Sequence, residues 1–146
     1  MLEVLIDFTI HPELPATDIN RAAGWYKEKL GLEPVLHGNE PIEPGTTSYD
    51  SELLYDTGTA RFGVYESEFA GRNQATAARL VTADFDSAHA ELITNGVVFE
   101  TYDIDVYFDS PDGRPYWDRG ALVFPDGEKT AWFKDSEGNI LALGST

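Results

Sequence analysis

The chain has no cysteine among its 146 residues. Disulfides, thiol nucleophiles and thiolate metal sites are therefore excluded. Basic residues are scarce: 10 Lys and Arg stand against 26 Asp and Glu, a formal net charge of −16. Nucleic acid and anionic membrane surfaces are poor partners for such a field. It favours cationic or neutral small ligands, and it equally serves solubility or tolerance of salt. Long hydrophobic runs are missing, so no segment reads as a membrane span. The opening MLEVLIDFTI carries Glu3 and Asp7 and no basic region. It reads as a strand rather than an export signal, which makes the cytoplasm the expected location. G-x-S-x-G, G-x-G-x-x-G and Walker patterns are absent, and no Ser-His-Asp set can be deduced. Pro111 breaks the aspartate spacing that an EF-hand would need in DIDVYFDSPDG.

What is present is enough apolar residue, 42% of the chain, for one domain with a sizeable core. EVLIDFTI reads as a strand. PATDINRAAGWYKEKLGL reads as a helix. Thr17 or Asp18 caps its first turn, Ile19, Ala22, Ala23, Tyr26 and Leu30 form one apolar face, and Gly31 ends it. LEPVLH, SELLYD and ARFGVYES follow as strands, with DTGT as the turn between the last two. The order β-α-β-β-β then recurs. ATAARLVTA is a strand, DFDSAHAELITNG a helix, and VVFETYDI, KTAWFKD and NILALGS are strands, with DSEG as the turn. The interval from Gly58 to Gly138 exceeds that from Gly31 to Gly96, and the excess lies in DVYFDSPDGRPYWDRGALVFPDGE. The expected fold class is therefore α+β, with two βαβββ modules in one domain. Module one spans 1–70 and module two 75–146, with an inserted loop at about 103–125. Neither half covers both faces of its own sheet, so the two should pair.

HPELPATDINRAAGWYKEKLGLEPV resembles the opening of the vicinal oxygen chelate superfamily, which includes glyoxalases, bleomycin-resistance proteins and extradiol dioxygenases. AWFKDSEGNILAL resembles its closing hairpin, and NGVVFETYD one bacterial branch of it. The resemblance covers nearly the whole chain in order. It implies two modules whose sheets curve into a cup around a cavity, and a homodimer, since many relatives build the cup or its rim from two chains. It does not fix an activity, because that fold hosts lyases, isomerases, dioxygenases, transferases and plain drug-binding proteins.

In metal-using relatives the resemblance implies one ligand from the first strand and one from the last strand of each module. The first falls on His11, seven residues before Asp18. The others fall on Ala77, on Ala142 and near Gly63, where only Val64, Tyr65 or Glu66 lies within a short slip. One potential ligand of four remains, too few for a specific ion. Glu13 would share a face with His11 if the strand continued, but Pro12 and Pro15 interrupt it. No cofactor is expected; the alternative is one divalent metal ion.

If Ala142 points into the cup, strand parity sends Ile140 there too and Leu141 toward the helix. In the facing strand the resemblance implies Thr130, Trp132 and Lys134 on the cup side, with Ala131 and Phe133 under the helix. Trp132 then offers a stacking plane for a flat or cationic ligand, or simply fills the cup. Tyr65 is its counterpart in module one. Arg79 shares parity with Ala77: it enters the cup, ready for a carboxylate, or lies at an edge. Arg114, Tyr116, Trp117 and Arg119 cluster on the insertion as a lid, a dimer contact or a self-packed loop. Trp25 reads as core or interface, and His89 as an exposed helical residue. Two readings result. One is a metal-free binder of a small aromatic or cationic molecule, of the antibiotic-resistance kind, touching it through His11, Tyr65, Arg79, Tyr116, Trp117, Thr130, Trp132 and Ala142. The other is an enzyme using a divalent metal or His11 as general base. A subunit with an empty cup is a third possibility.

Overall fold

The structure is a computed structural model that describes residues 8–103 and 113–146. The elements run β1 (Glu13–Ala16), α1 (Ile19–Leu30), β2 (Leu36–His37), β3 (Glu40–Pro41), β4 (Glu52–Asp56) and β5 (Arg61–Glu66). Then come β6 (Thr76–Thr82), α2 (Phe85–Thr94), β7 (Phe99–Glu100), β8 (Tyr116–Asp118), β9 (Ala121–Val123), β10 (Lys129–Lys134) and β11 (Ile140–Ser145). The class is α+β. No helix among the described residues is long and apolar enough to cross a membrane.

The repeat is a repeat of topology. One sheet has the order β1-β5-β4-β2-β3 and the other β6-β11-β10-β9-β8, with β7 also on β10. In each module the first strand passes through a helix and returns parallel to the last strand, β1 on β5 and β6 on β11. The helices begin as their sequences require: the Asp18 carboxylate accepts from Arg21 N–H and that of Asp84 from Ser87 N–H. Gly31 ends α1 in the left-handed conformation, at φ 68°.

Residues 3–7 of EVLIDFTI lie outside the described residues, and Phe8–Pro12 are exposed and not in a strand. The first described strand forms at Glu13–Ala16, across Pro15. The Pro12 and Ala16 carbonyls face β5, accepting from Gly63 and Ser67 N–H. Alternation therefore turns Pro15 away from β5, and an edge position tolerates its missing donor. The Pro15 carbonyl is not left open, because Asn139 of module two donates to it at 2.8 Å. LEPVLH and VVFETYDI are also shorter as strands than their composition implies. Among the described residues they form strands at Leu36–His37 and Phe99–Glu100.

The two modules share one core on the helix side. A chain of ring contacts runs from Tyr55 and Phe62 through Tyr26 and Trp25 to Phe133, Phe99, His89 and Phe85. Such pairs add to the stabilisation from area burial alone. Trp25 is thus a core residue. His89 is not the exposed helical residue that DSAHAEL implies: it is 5% exposed and stacked between Phe85 and Phe99. The polar end of the contact is the β10–β11 turn. Glu137, its side chain fully buried, accepts from Asp18 N–H and Thr17 and pairs with Arg21 at 2.8 Å. Tyr26 donates to Asp135 at 2.7 Å. The segment joining the modules passes so close to this turn that a Cβ on Gly138 would lie 2.9 Å from the Gly71 Cα.

Candidate site on the open face of the sheets

Alternation along the strands separates two layers. Leu14, Leu53, Tyr55, Val64, Ala131, Phe133, Leu141 and Leu143 belong to the shared core. Their sequence neighbours face the other way and form the open face.

On module one that face carries an acidic group. Glu13 and Leu54 flank Gly63, and Pro15 and Glu52 flank Tyr65. Gly63 leaves the space above it to the Glu13 carboxylate, into which any Cβ there would run. His11 sits just before β1, its Nε2 3.1 Å from Glu13 Oε1, with both side chains partly exposed. The Glu52 carboxyl is held above its ordinary range by burial and by the charge and hydrogen bond of Glu13, with His11 acting against the shift. Tyr65 is 37% exposed beside them. His11 and Tyr65 therefore fall on one cluster, joined by Glu13 and Glu52. Strand parity in SELLYD, where Leu53 and Tyr55 turn inward, would have marked Glu52.

On module two the same face is aromatic. Trp132 lies opposite Ala142, which in turn lies opposite Arg79. The Trp132 Nε1–H donates to Thr76 Oγ1 at 3.2 Å. Tyr102 and Trp117 meet the Trp132 ring edge-on. Thr130 is buried opposite Gly144, and Ala142 is 3% exposed. Arg79 is exposed and lies over Gly144, which has no side chain to displace it. Glu100 stands opposite Trp132 across β7 and β10, accepts from Tyr102, and pairs with Lys134 at 3.5 Å.

The insertion divides by parity. Trp117 pairs with Leu122, which pairs with Thr130, so Trp117 lies in the open-face layer. Tyr116 pairs with Val123 and is 61% exposed on the opposite side, where Lys129 reaches Asp86 of α2. Tyr102, Thr76 and Glu100 were not among the expected site residues. Their link to Trp132 depends on how β6 and β7 register on the last hairpin, which local pattern does not specify.

Gly63, Ala77 and Ala142, the positions where the resemblance implies further ligands, carry no ligating side-chain atom. Among the described residues no group of three or more His, Asp or Glu side chains is arranged to hold an ion.

No family model matches the chain, and no curated protein does. Solved structures do. Together with the paired βαβββ topology they define the chain's class: it has the vicinal oxygen chelate fold. A glyoxalase/bleomycin resistance protein from Catenulispora acidiphila is 18% identical, with a TM-score of 0.64 over 96% of this chain and 99% of that one. A bleomycin-binding protein complexed with bleomycin is 15% identical, with a TM-score of 0.61 over 95% and 98%. A lactoylglutathione lyase from Agrobacterium tumefaciens is 16% identical, with a TM-score of 0.59 over 95% and 93%.

Proposed function

We propose that this chain binds a small aromatic or cationic molecule on the open face of its sheets, with no resident metal. The carrying observation is Trp132, half-buried and flanked by two rings at the position facing Ala142. A half-exposed indole pinned by Thr76 and edged by two rings is suited to aromatic and cation–π contact. The absence of donor atoms at Gly63, Ala77 and Ala142 supports binding without an ion. Sequestration of a drug is the physiological role that fits. Two of the fold neighbours are described as resistance or drug-binding proteins, and such a role needs affinity without chemistry. A homodimer is part of the proposal, supported by Phe8 and Ile10 at 65% and 98% exposure ahead of β1. Cytoplasmic residence completes it.

The test is a panel of planar and cationic compounds titrated against tryptophan fluorescence. Saturable quenching that is lost in Trp132→Leu, with the ligand recovered unchanged by mass spectrometry, supports the reading. No saturable response across the panel rejects it.

A second reading has one observation in its favour. The His11–Glu13 contact orients an imidazole beside a carboxylate, an arrangement suited to proton transfer. On this reading His11 is the general base of an enzyme, or holds one divalent metal. Turnover of any panel member that disappears in His11→Ala, or a stoichiometric metal that depends on His11, would put it ahead.

A further inference from the structure

Trp132 forms the corner of a ring cluster rather than a free plane. Tyr102 meets it with centroids 5.7 Å apart and planes at 80°, and Trp117 at 6.2 Å and 65°. Glu100 borders the corner and accepts the Tyr102 hydroxyl at 3.2 Å. It also draws the Lys134 ammonium to 3.5 Å. Thr76 holds Trp132 from the far side.

Rings set steeply to one another do not sandwich a flat ligand, which needs parallel faces. Set steeply on Trp132, they make a corner. The guest that matches such a corner is compact, rounded and positive: its charge is drawn by the π faces and by a carboxylate at the edge. A plain ammonium is strongly hydrated and would compete with Lys134 for Glu100. An alkylated ammonium spreads its charge over methyl groups, loses little hydration, and fills a corner of apolar walls. The chain's net charge of −16 adds attraction at long range.

We propose that Tyr102, Trp117 and Trp132, with Glu100, form a subsite for the methylated ammonium group of a small molecule. This rests on the binding function above and narrows its ligand to a tertiary or quaternary amine. Arg79, on the opposite side of Ala142 from Trp132, is then placed for an anionic group at the ligand's other end.

The experiment compares choline with 3,3-dimethylbutan-1-ol, the uncharged molecule of the same shape. Indole N–H shifts of Trp117 and Trp132 are followed in the full chain. Choline should shift both saturably and bind about tenfold more tightly than the alcohol. Added salt and Glu100→Gln should each weaken it, and Lys134→Met should strengthen it by removing the resident cation. Because Trp117→Ala and Trp132→Ala disturb packing, fluorinated tryptophans incorporated biosynthetically supply a second readout. Each added fluorine should weaken choline binding while leaving the fold unchanged. Equal binding of the two compounds, or choline binding indifferent to fluorination, overturns the subsite. Quenching by planar compounds without a preference for choline overturns the subsite alone and leaves the binding function standing. No saturable response to choline or to any panel compound rejects both.

Discussion

Phe133 and Trp132 are adjacent in the chain and live in different surroundings. Phe133 is fully buried, in ring contact with Trp25 of α1 and Phe99 of β7. Trp132, on the other side of the same strand, is half-buried and touches rings only at their edges. The contrast recurs at Val64 and Tyr65 on β5. On the helix side the two modules must agree, because each completes the other's core. On the open side they diverge. The residue opposite Gly63 is Glu13 in module one, whereas the residue opposite Ala142 is Arg79 in module two. One backbone plan thus carries an acidic face and an aromatic face, and selection on the two layers has different physical content.

The sharpest way to break that contrast is to truncate both neighbours. Phe133→Ala should cost about 3–5 kcal/mol, because it opens a cavity where both modules meet. A shift of the urea midpoint measures it. Trp132→Ala, though it removes a larger ring, should cost only about 1–2 kcal/mol, because its site is already partly hydrated. Its main effect should fall on ligand quenching, not on the urea midpoint. Equal stability losses would mean that the open face is as much core as the helix side.

Between these in size lies the clasp at Glu137. Burial alone would raise its carboxyl, but hydrogen bonds from Arg21, Asp18 N–H and Ser136, with the Arg21 charge, hold it down to about 2. Its folded value is below its unfolded one, so the charged form stabilises the fold at neutral pH. That contribution, up to about 3 kcal/mol, is lost as pH falls from about 4.5 toward 2. Glu137→Gln should lower stability at neutral pH and flatten the acid limb of a denaturation series. His89 adds a loss that begins at higher pH. Its imidazole is depressed, chiefly by burial, and its Nε2 has no hydrogen-bond partner among the described residues. Protonation therefore opposes folding as pH falls below the ordinary histidine range. His89→Phe should remove that limb.

The helix-side layer was readable from sequence because its signals are local and doubly constrained. Cap, periodicity and C-terminal glycine all agree on α1, strand parity with Ala142 turns Leu141 inward, and the family resemblance places Phe133 beside it. At the end of EVLIDFTI, Phe8–Ile10 are not in a strand and the first described strand is ELPA, since strand propensity does not say where a partner edge lies. His89 misled because a single polar residue on a weakly amphipathic helix gives no sign of the rings that cover it. The open face was readable only as a list. The family resemblance placed Trp132, Thr130 and Ala142 on it. The acidic neighbours of His11 and the rings around Trp132 come together through strand register across the sheet, which is tertiary information.

The smallest effect is expected at the acidic group, and it tests whether module one's face is a coupled unit. Burial raises the Glu52 carboxyl first, and the neighbouring Glu13 charge and hydrogen bond add to it. Because Glu52 is raised in the folded state, its ionisation opposes folding, and stability declines as pH rises through the folded value. Glu13→Gln removes the charge and leaves the burial. Glu52 should then titrate lower, still above its ordinary range, and the decline should shrink. His11 acts in the opposite sense, so His11→Ala should push Glu52 further up. Carboxyl carbon shifts followed through the acid range read both changes directly. Opposite displacements in the two variants would establish a coupled His11–Glu13–Glu52 group that module two, with Arg79 in the matching place, does not have. A Glu52 that ignores both would reduce the acidity of this face to independent surface charges.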